Sequence, residues 1–124
     1  MHEYGIAENI LAVALEVANS HGRRPVEHVW VRLGSLQQIV PEALSFAFTA
    51  LAHGTLAAGA TLHCEAVAAI VRCRSCEAIF APLEPWFLTC SNCGTASPQV
   101  IAGEDLEVTR VTLREGEEEP YQNP

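Results

Sequence analysis

Four cysteines carry the clearest chemistry in the chain. Cys73-Arg74-Ser75-Cys76 is followed, thirteen residues later, by Cys90-Ser91-Asn92-Cys93. Two residues between paired cysteines let both sulfurs of one tight turn face the same point. Two such turns, brought together by a short hairpin, make a tetrahedral cage of four thiolates. A closed set of soft thiolates suits a structural Zn2+, with iron the other common occupant of such sites. Gly94, just after Cys93, permits the backbone turn that aims amides at sulfur. The first pair departs from this pattern, with Glu77-Ala78 where a glycine is usual. Two disulfides or a redox CxxC are the competing readings, and the doubled CxxC spacing favours zinc over both.

A second set of donors stands at the start of the chain, Met1-His2-Glu3. The Met1 amine and the His2 amide nitrogen would close a five-membered chelate ring. The His2 imidazole would close a six-membered ring with the same amide, and the Glu3 amide would fill the fourth corner. Four nitrogens in a plane suit Ni2+ or Cu2+, with the Glu3 carboxylate as a supporting acceptor. The alternative on these residues alone is a frayed terminus with a surface histidine.

Composition bounds what surrounds these donors. At 124 residues, 49% of them hydrophobic, the chain makes one domain or one domain with a small appendage. No apolar run approaches the about 20 residues that span a bilayer. The start carries no basic leader, so no signal peptide is expected, and a reducing, cytoplasmic setting favours metal over disulfide. A net charge of −8 lacks the basic face that nucleic-acid binding requires.

The positioning elements follow from periodicity. Tyr4 to Ser20 reads as a helix, with Ile6, Ile10, Val13 and Val17 along one stripe and Leu11, Ala14, Leu15 and Ala18 beside it. Gly22 is its expected stop. Val26 to Leu33 alternates as a strand, with Val29, Val31 and Leu33 on one face and His28, Trp30 and Arg32 on the other. Pro41 opens a second helix whose stripe is Leu44, Ala47, Phe48 and Leu51, and Gly54 closes it. Thr61 to Val71 reads as one strand leading into Cys73. Gln99 to Ile101 is a short strand, Gly103-Glu104 a turn, and Leu106 to Leu113 a last strand with a parity break near Arg110. Strands on either side of the cysteine segment are expected to pair in one sheet with both helices packed on it. Phe80, Leu83, Trp86 and Phe87 lie between the knuckles, in a module too small to fold without metal.

The fold class expected is therefore α+β: two helices on a small mixed β-sheet, with an inserted four-cysteine, zinc-ribbon-like domain. The main domain spans 1–70 and 98–114, the insert 71–97, and an acidic, disordered tail 115–124. Cys64 reads as a buried strand thiol, and His21 and His53 as helix-end residues near free carbonyls. His28 and His63 read as packing or solvent-facing strand residues. No nucleophile, base and orienting group assemble, and no glycine loop could cradle phosphate. The chain reads as a carrier and not an enzyme. A zinc-ribbon adapter, which would bind zinc but no stoichiometric nickel, is the competing class.

Taken in order, these residues resemble the HypA/HybF family of nickel metallochaperones in hydrogenase maturation. The resemblance covers nearly the whole chain. It rests on Met1-His2-Glu3, Val29-Trp30-Val31-Arg32-Leu33-Gly34, Pro41-Glu42-Ala43-Leu44-Ser45-Phe46-Ala47-Phe48, Gly54-Thr55, Gly59-Ala60-Thr61-Leu62, both CxxC pairs and Gly103-Glu104-Asp105-Leu106. It implies a nickel site formed by Met1, His2 and Glu3 in the α+β domain, with His2 indispensable, and a structural zinc on Cys73, Cys76, Cys90 and Cys93. It also implies delivery of Ni2+ to a NiFe-hydrogenase large-subunit precursor with a HypB-type GTPase, and in some organisms service to urease maturation proteins. Some members of the family place a histidine beside a CxxC pair; this chain has none after His63.

Overall fold

A computed structural model describes residues 2–84 and 86–114. Met1 and the acidic segment 115–124 expected to be a disordered tail lie outside the described residues. Among the described residues are two α-helices, a short 3-10 helix (Ser35–Gln37) and six strands, the strands forming two three-stranded sheets. The described residues divide into two compact units, one of 2–31, 40–63 and 108–114, the other of 32–39, 64–84 and 86–107.

In the first unit, α1 (His2–Ser20) begins at His2 rather than near Tyr4. Glu3 in its first turn accepts a hydrogen bond from the Val40 amide at 3.2 Å, which helps order this turn. The face that α1 buries is Ala7, Ile10, Leu11, Ala14 and Ala18. The stripe read through Val13 is displaced, and Val13 is 42% exposed. Small alanines replace bulk at the contact: α1 packs against α2 (Pro41–Ala52), which buries Leu44, Ala47, Phe48 and Ala52. Gly22 and Arg23 turn the chain with positive φ after α1, and the Arg23 amide donates to Ala18 O at 2.8 Å. The His21 ring meets the Val17 carbonyl at 2.8 Å, the helix-end contact expected of it.

Strand β1 (Val26–Gly34) is central in the first sheet, between β2 (Thr61–Val67) and β6 (Leu106–Leu113). Val29 and Val31 are buried, as their alternation requires. Bonds from Gly34 N to Asp105 O and from Arg114 N to Pro25 O run one strand up as the other runs down, so β6 is antiparallel to β1. On the other edge His63 lies by His28 and Glu65 by Arg32, numbers rising together, as in a parallel pair joined through α2. The sheet is mixed, as expected.

The single strand read over Thr61 to Val71 is two. Strand β2 stops at Val67, and after Ala68-Ala69 the chain enters the second sheet as β3 (Ile70–Cys73). That sheet has the order β4-β3-β5, with β4 at Ile79–Phe80 and β5 at Pro98–Ala102, both antiparallel to β3. Strands flanking the cysteine segment thus pair in a sheet of their own, β3 with β5. Gly103 explains the break. It has φ of 90°, and a Cβ there would lie 2.4 Å from the Ala69 Cα. Backbone touches backbone at this turn, so no strand-forming side chain fits.

The two cysteine turns have matching backbones. In each, the residue after the second cysteine donates to the carbonyl of the first: Glu77 N to Cys73 O at 2.7 Å, Gly94 N to Cys90 O at 2.9 Å. In each, the first cysteine's amide donates five residues ahead: Cys73 N to Ala78 O at 2.9 Å, Cys90 N to Thr95 O at 3.0 Å. Both turns therefore need a left-handed residue at the same place, Gly94 at φ of 78° and Glu77 at φ of 66°. Glycine meets that need freely, whereas a side chain there costs about 1–2 kcal/mol. Glu77→Gly should raise the stability of the zinc-loaded protein by about 1 kcal/mol after glycine's extra unfolded-state entropy is subtracted. Urea unfolding measures this, and a lower midpoint in the variant would contradict it.

Candidate metal centre

The hairpin of the second unit sets the cysteines face to face. Strand β3 ends on Cys73, so the first turn grows directly from its last residue. The second turn precedes β5, which pairs with β3 through Cys73 and Pro98. The four sulfurs of Cys73, Cys76, Cys90 and Cys93 all lie within 4.8 Å of one another. Cys73 Sγ is 3.6 Å from Cys93 Sγ, and Cys76 Sγ is 3.6 Å from Cys90 Sγ. A tetrahedron of thiolates at the Zn–S distance of about 2.3 Å has edges of about 3.8 Å. Two of the edges are close to that length, and the rest, within 4.8 Å, need only a small inward movement of the sulfurs to close on Zn2+. None of the cysteines is in a disulfide, so the competing disulfide reading fails here.

Burial shows what this centre does for its surroundings. Cys73 and Cys90 are 1% and 2% exposed, and Val71 beside them is fully buried. The large apolar residues between the knuckles face outward instead: Leu83 is 94% exposed, Trp86 69% and Phe87 57%. The ligands themselves are the core of this small sheet. Four thiolates so close repel one another, and a dication among them removes that penalty.

Polar groups around the sulfurs prepare them for metal. The Asn92 side-chain amide donates to Cys76 Sγ at 3.4 Å, and the Asn92 backbone amide to Cys90 Sγ at 3.3 Å. The Asn92 side chain, followed by the Ala78 amide, brings the Cys76 thiol down to about 6. The Thr95 hydroxyl and amide lower Cys93. The Cys93 amide also pulls Cys90 down, but burial and the thiols of Cys76 and Cys73 outweigh it and push that group up. Sequence reasoning missed Asn92 and Thr95. A short amide side chain between the two cysteines of a CxxC is the signal that could have found Asn92.

The other candidate donors stand in the first unit. His2 is exposed and opens α1; Glu3 is half-buried, and the Val40 amide holds its carboxyl below the usual range. Met1 lies outside the described residues. Cys64, expected to be buried, is half-buried on β2 and not disulfide-bonded. Among the described residues, the four cysteines are the one cluster of three or more metal-binding side chains.

Removing the Asn92 donor tests the preparation of the sulfurs. Asn92→Ala should weaken Zn2+ binding about tenfold, the low end for loss of a ligand's hydrogen-bond partner. Competition with a chromophoric chelator reads this directly, and unchanged affinity would show the contact to be idle.

Residues 1–113 match the family described as hydrogenase/urease nickel incorporation, metallochaperone, HypA. A hydrogenase maturation factor HypA of Trichormus variabilis is 37% identical over 115 residues, 93% of this chain and 97% of that protein. The factor of the same name from Chloroflexus aurantiacus is 36% identical over 108 residues, 87% of this chain and 95% of that one. The solution structure of the Ni metallochaperone HypA from Helicobacter pylori superposes with a TM-score of 0.62 at 19% identity, covering 90% of this chain and 96% of that one. At that identity the likeness speaks for the fold alone. With the four-sulfur centre, the two helices and a family match over residues 1–113, the chain belongs to the HypA family of nickel metallochaperones that serve hydrogenase maturation.

Proposed function

We propose that the chain carries Ni2+ at its N-terminus and passes it to a NiFe-hydrogenase large-subunit precursor in the cytoplasm. The ligands are the Met1 amine, the amide nitrogens of His2 and Glu3, and the His2 imidazole. A HypB-type GTPase is the proposed partner, since the sequence has no phosphate-cradling loop of its own; urease maturation proteins are further candidates. The protein does no chemistry on its cargo and is not an enzyme. Cys73, Cys76, Cys90 and Cys93 hold a structural Zn2+ that keeps residues 71–97 folded, together with β5 (Pro98–Ala102), which pairs with β3, while the rest of 1–70 and 98–114 forms the nickel-carrying domain.

The observation that carries this reading is the start of α1. Because the helix begins at His2, the amides of His2 and Glu3 fall in its first turn, where backbone N–H groups have no carbonyl partner within the helix. A metal that takes these nitrogens breaks no helical hydrogen bond. The Glu3 carboxylate meanwhile ties this tip to the Val40 amide at the start of α2. The exposed His2 ring thus projects from an anchored base. An exposed site built on one side chain and backbone nitrogens can release its ion, whereas the closed four-sulfur site retains its own.

Nickel titration of the untagged, zinc-loaded protein tests the assignment. The native chain should bind one equivalent, while His2→Ala, or acetylation of the Met1 amine, should weaken binding about tenfold or more, each removing one ligand. Equal binding by native protein and His2→Ala would place the nickel elsewhere. Zinc without any stoichiometric nickel would favour the adapter class.

A further inference from the structure

The face of β1 opposite Val29 and Val31 carries a cluster that nickel carriage at the N-terminus does not use. His28 Nδ1 lies 2.9 Å from Nε2 of His63 on the neighbouring strand β2. The Trp30 indole stacks on His63, with centroids 4.7 Å apart and planes 16° from parallel. It also meets His28 at 5.3 Å. All three side chains are half-buried, sheltered yet reachable from solvent.

We propose that His28 and His63 form a second divalent-metal site, a two-imidazole chelate for a borderline ion such as Ni2+ or Cu2+. The spacing is the argument. Two nitrogens bound at right angles to an ion at about 2.0–2.1 Å lie about 2.9 Å apart, whereas a tetrahedral pair lies about 3.3–3.4 Å apart. The observed 2.9 Å, an ordinary hydrogen-bond length, is also that of a right-angled pair, the arrangement of square-planar or octahedral ions. In the ion-free chain the two nitrogens share one proton in a hydrogen bond. On binding, that proton moves to the other nitrogen of the ring that donated it, with no net proton released, and a tilt of each ring turns both lone pairs onto the ion. His28 Nε2 and His63 Nδ1 then carry the ring protons, and water completes the coordination.

The surroundings support this use. The stack on Trp30 limits rotation of the His63 ring, so less freedom is lost on binding. A cation beside the cluster is Arg110, whose guanidinium lies 4.7 Å over Trp30; Arg32, further along the same face, faces Glu65. Arg110 comes from β6, on the side of β1 away from β2, so the indole separates its charge from the imidazoles. Among the described residues, neither an acidic residue nor a third histidine adds to the pair, so the site is open and weaker than a three-ligand centre. The pair stands in the same compact unit as the start of α1. There it offers Ni2+ a second resting place from which it can leave.

The test blocks the N-terminal site, so it does not depend on that assignment. Zinc-loaded protein with His2→Ala and an acetylated Met1 amine is titrated with Ni2+, and separately with Cu2+. A Trp86→Phe background leaves Trp30 as the only tryptophan of the two. One residual equivalent should bind and quench Trp30 emission in step. His28→Ala should weaken that equivalent about tenfold or more. His63→Phe should do the same while keeping the ring stack on Trp30, which separates loss of a ligand from loss of structure. His21→Ala and His53→Ala should leave it unchanged. No residual equivalent, one that survives both His28→Ala and His63→Phe, or binding that leaves Trp30 emission untouched would overturn the proposal and leave the contact a packing pair.

Discussion

The convergence of four sulfurs is the constraint on which the second half of this chain depends. The small sheet β4-β3-β5 has little else at its centre: Val71, Cys73 and Cys90 are buried there, while Leu83, Trp86 and Phe87 face outward. Hydrophobic burial on that scale cannot offset the conformational entropy of ordering the segment. The sulfurs and their ion must make up the difference, and in that sense metal binding and folding are one event. The matched turns at Cys73–Ala78 and Cys90–Thr95 serve this end. Each holds two thiols on one side and points amides toward them, so hydrogen bonding compensates part of the charge before any metal arrives.

The two metals ask for opposite designs. A structural ion needs a complete set of strong ligands and no exit, which the four thiolates provide. A cargo ion needs an open site. In the proposed reading the exposed His2 at the head of α1 supplies that, with an anchor in the Glu3–Val40 hydrogen bond. Family membership rests on the extended sequence match and gives the chain its place in nickel delivery. The solved structures at 19% identity add that the fold is shared.

Much of this was legible in the sequence, for physical reasons that differ by element. The cysteine spacing was legible because a CxxC turn fixes its geometry locally. The odd Glu77 was legible because only one position in such a turn needs positive φ. Strand β1 was legible because strict alternation survives burial of one face. The break between β2 and β3 was not: Ala66, Ala68 and Ala69 continue an apolar run, and the reason to stop is Gly103, distant in sequence but touching Ala69. Val13 was misplaced because several apolar residues of α1 compete for the buried face, which Ala7, Ile10, Leu11, Ala14 and Ala18 take. The roles of Asn92 and Thr95 depend on which way a turn aims its donors. His28 could be placed on the outer face of its strand, but its partner could not, since register with β2 is set by the intervening helix and loop.

If metal at Cys73, Cys76, Cys90 and Cys93 holds up one unit and not the other, removing it should unfold that unit alone. Two-dimensional amide NMR of the isotope-labelled chain, before and after zinc is stripped by a chelator, reads this residue by residue. Amides of Ile70–Ala102 should lose their dispersion without zinc and regain it when Zn2+ returns, while those of α1 and α2 keep theirs. Retention of full dispersion over Ile70–Ala102 in the zinc-free protein would contradict it.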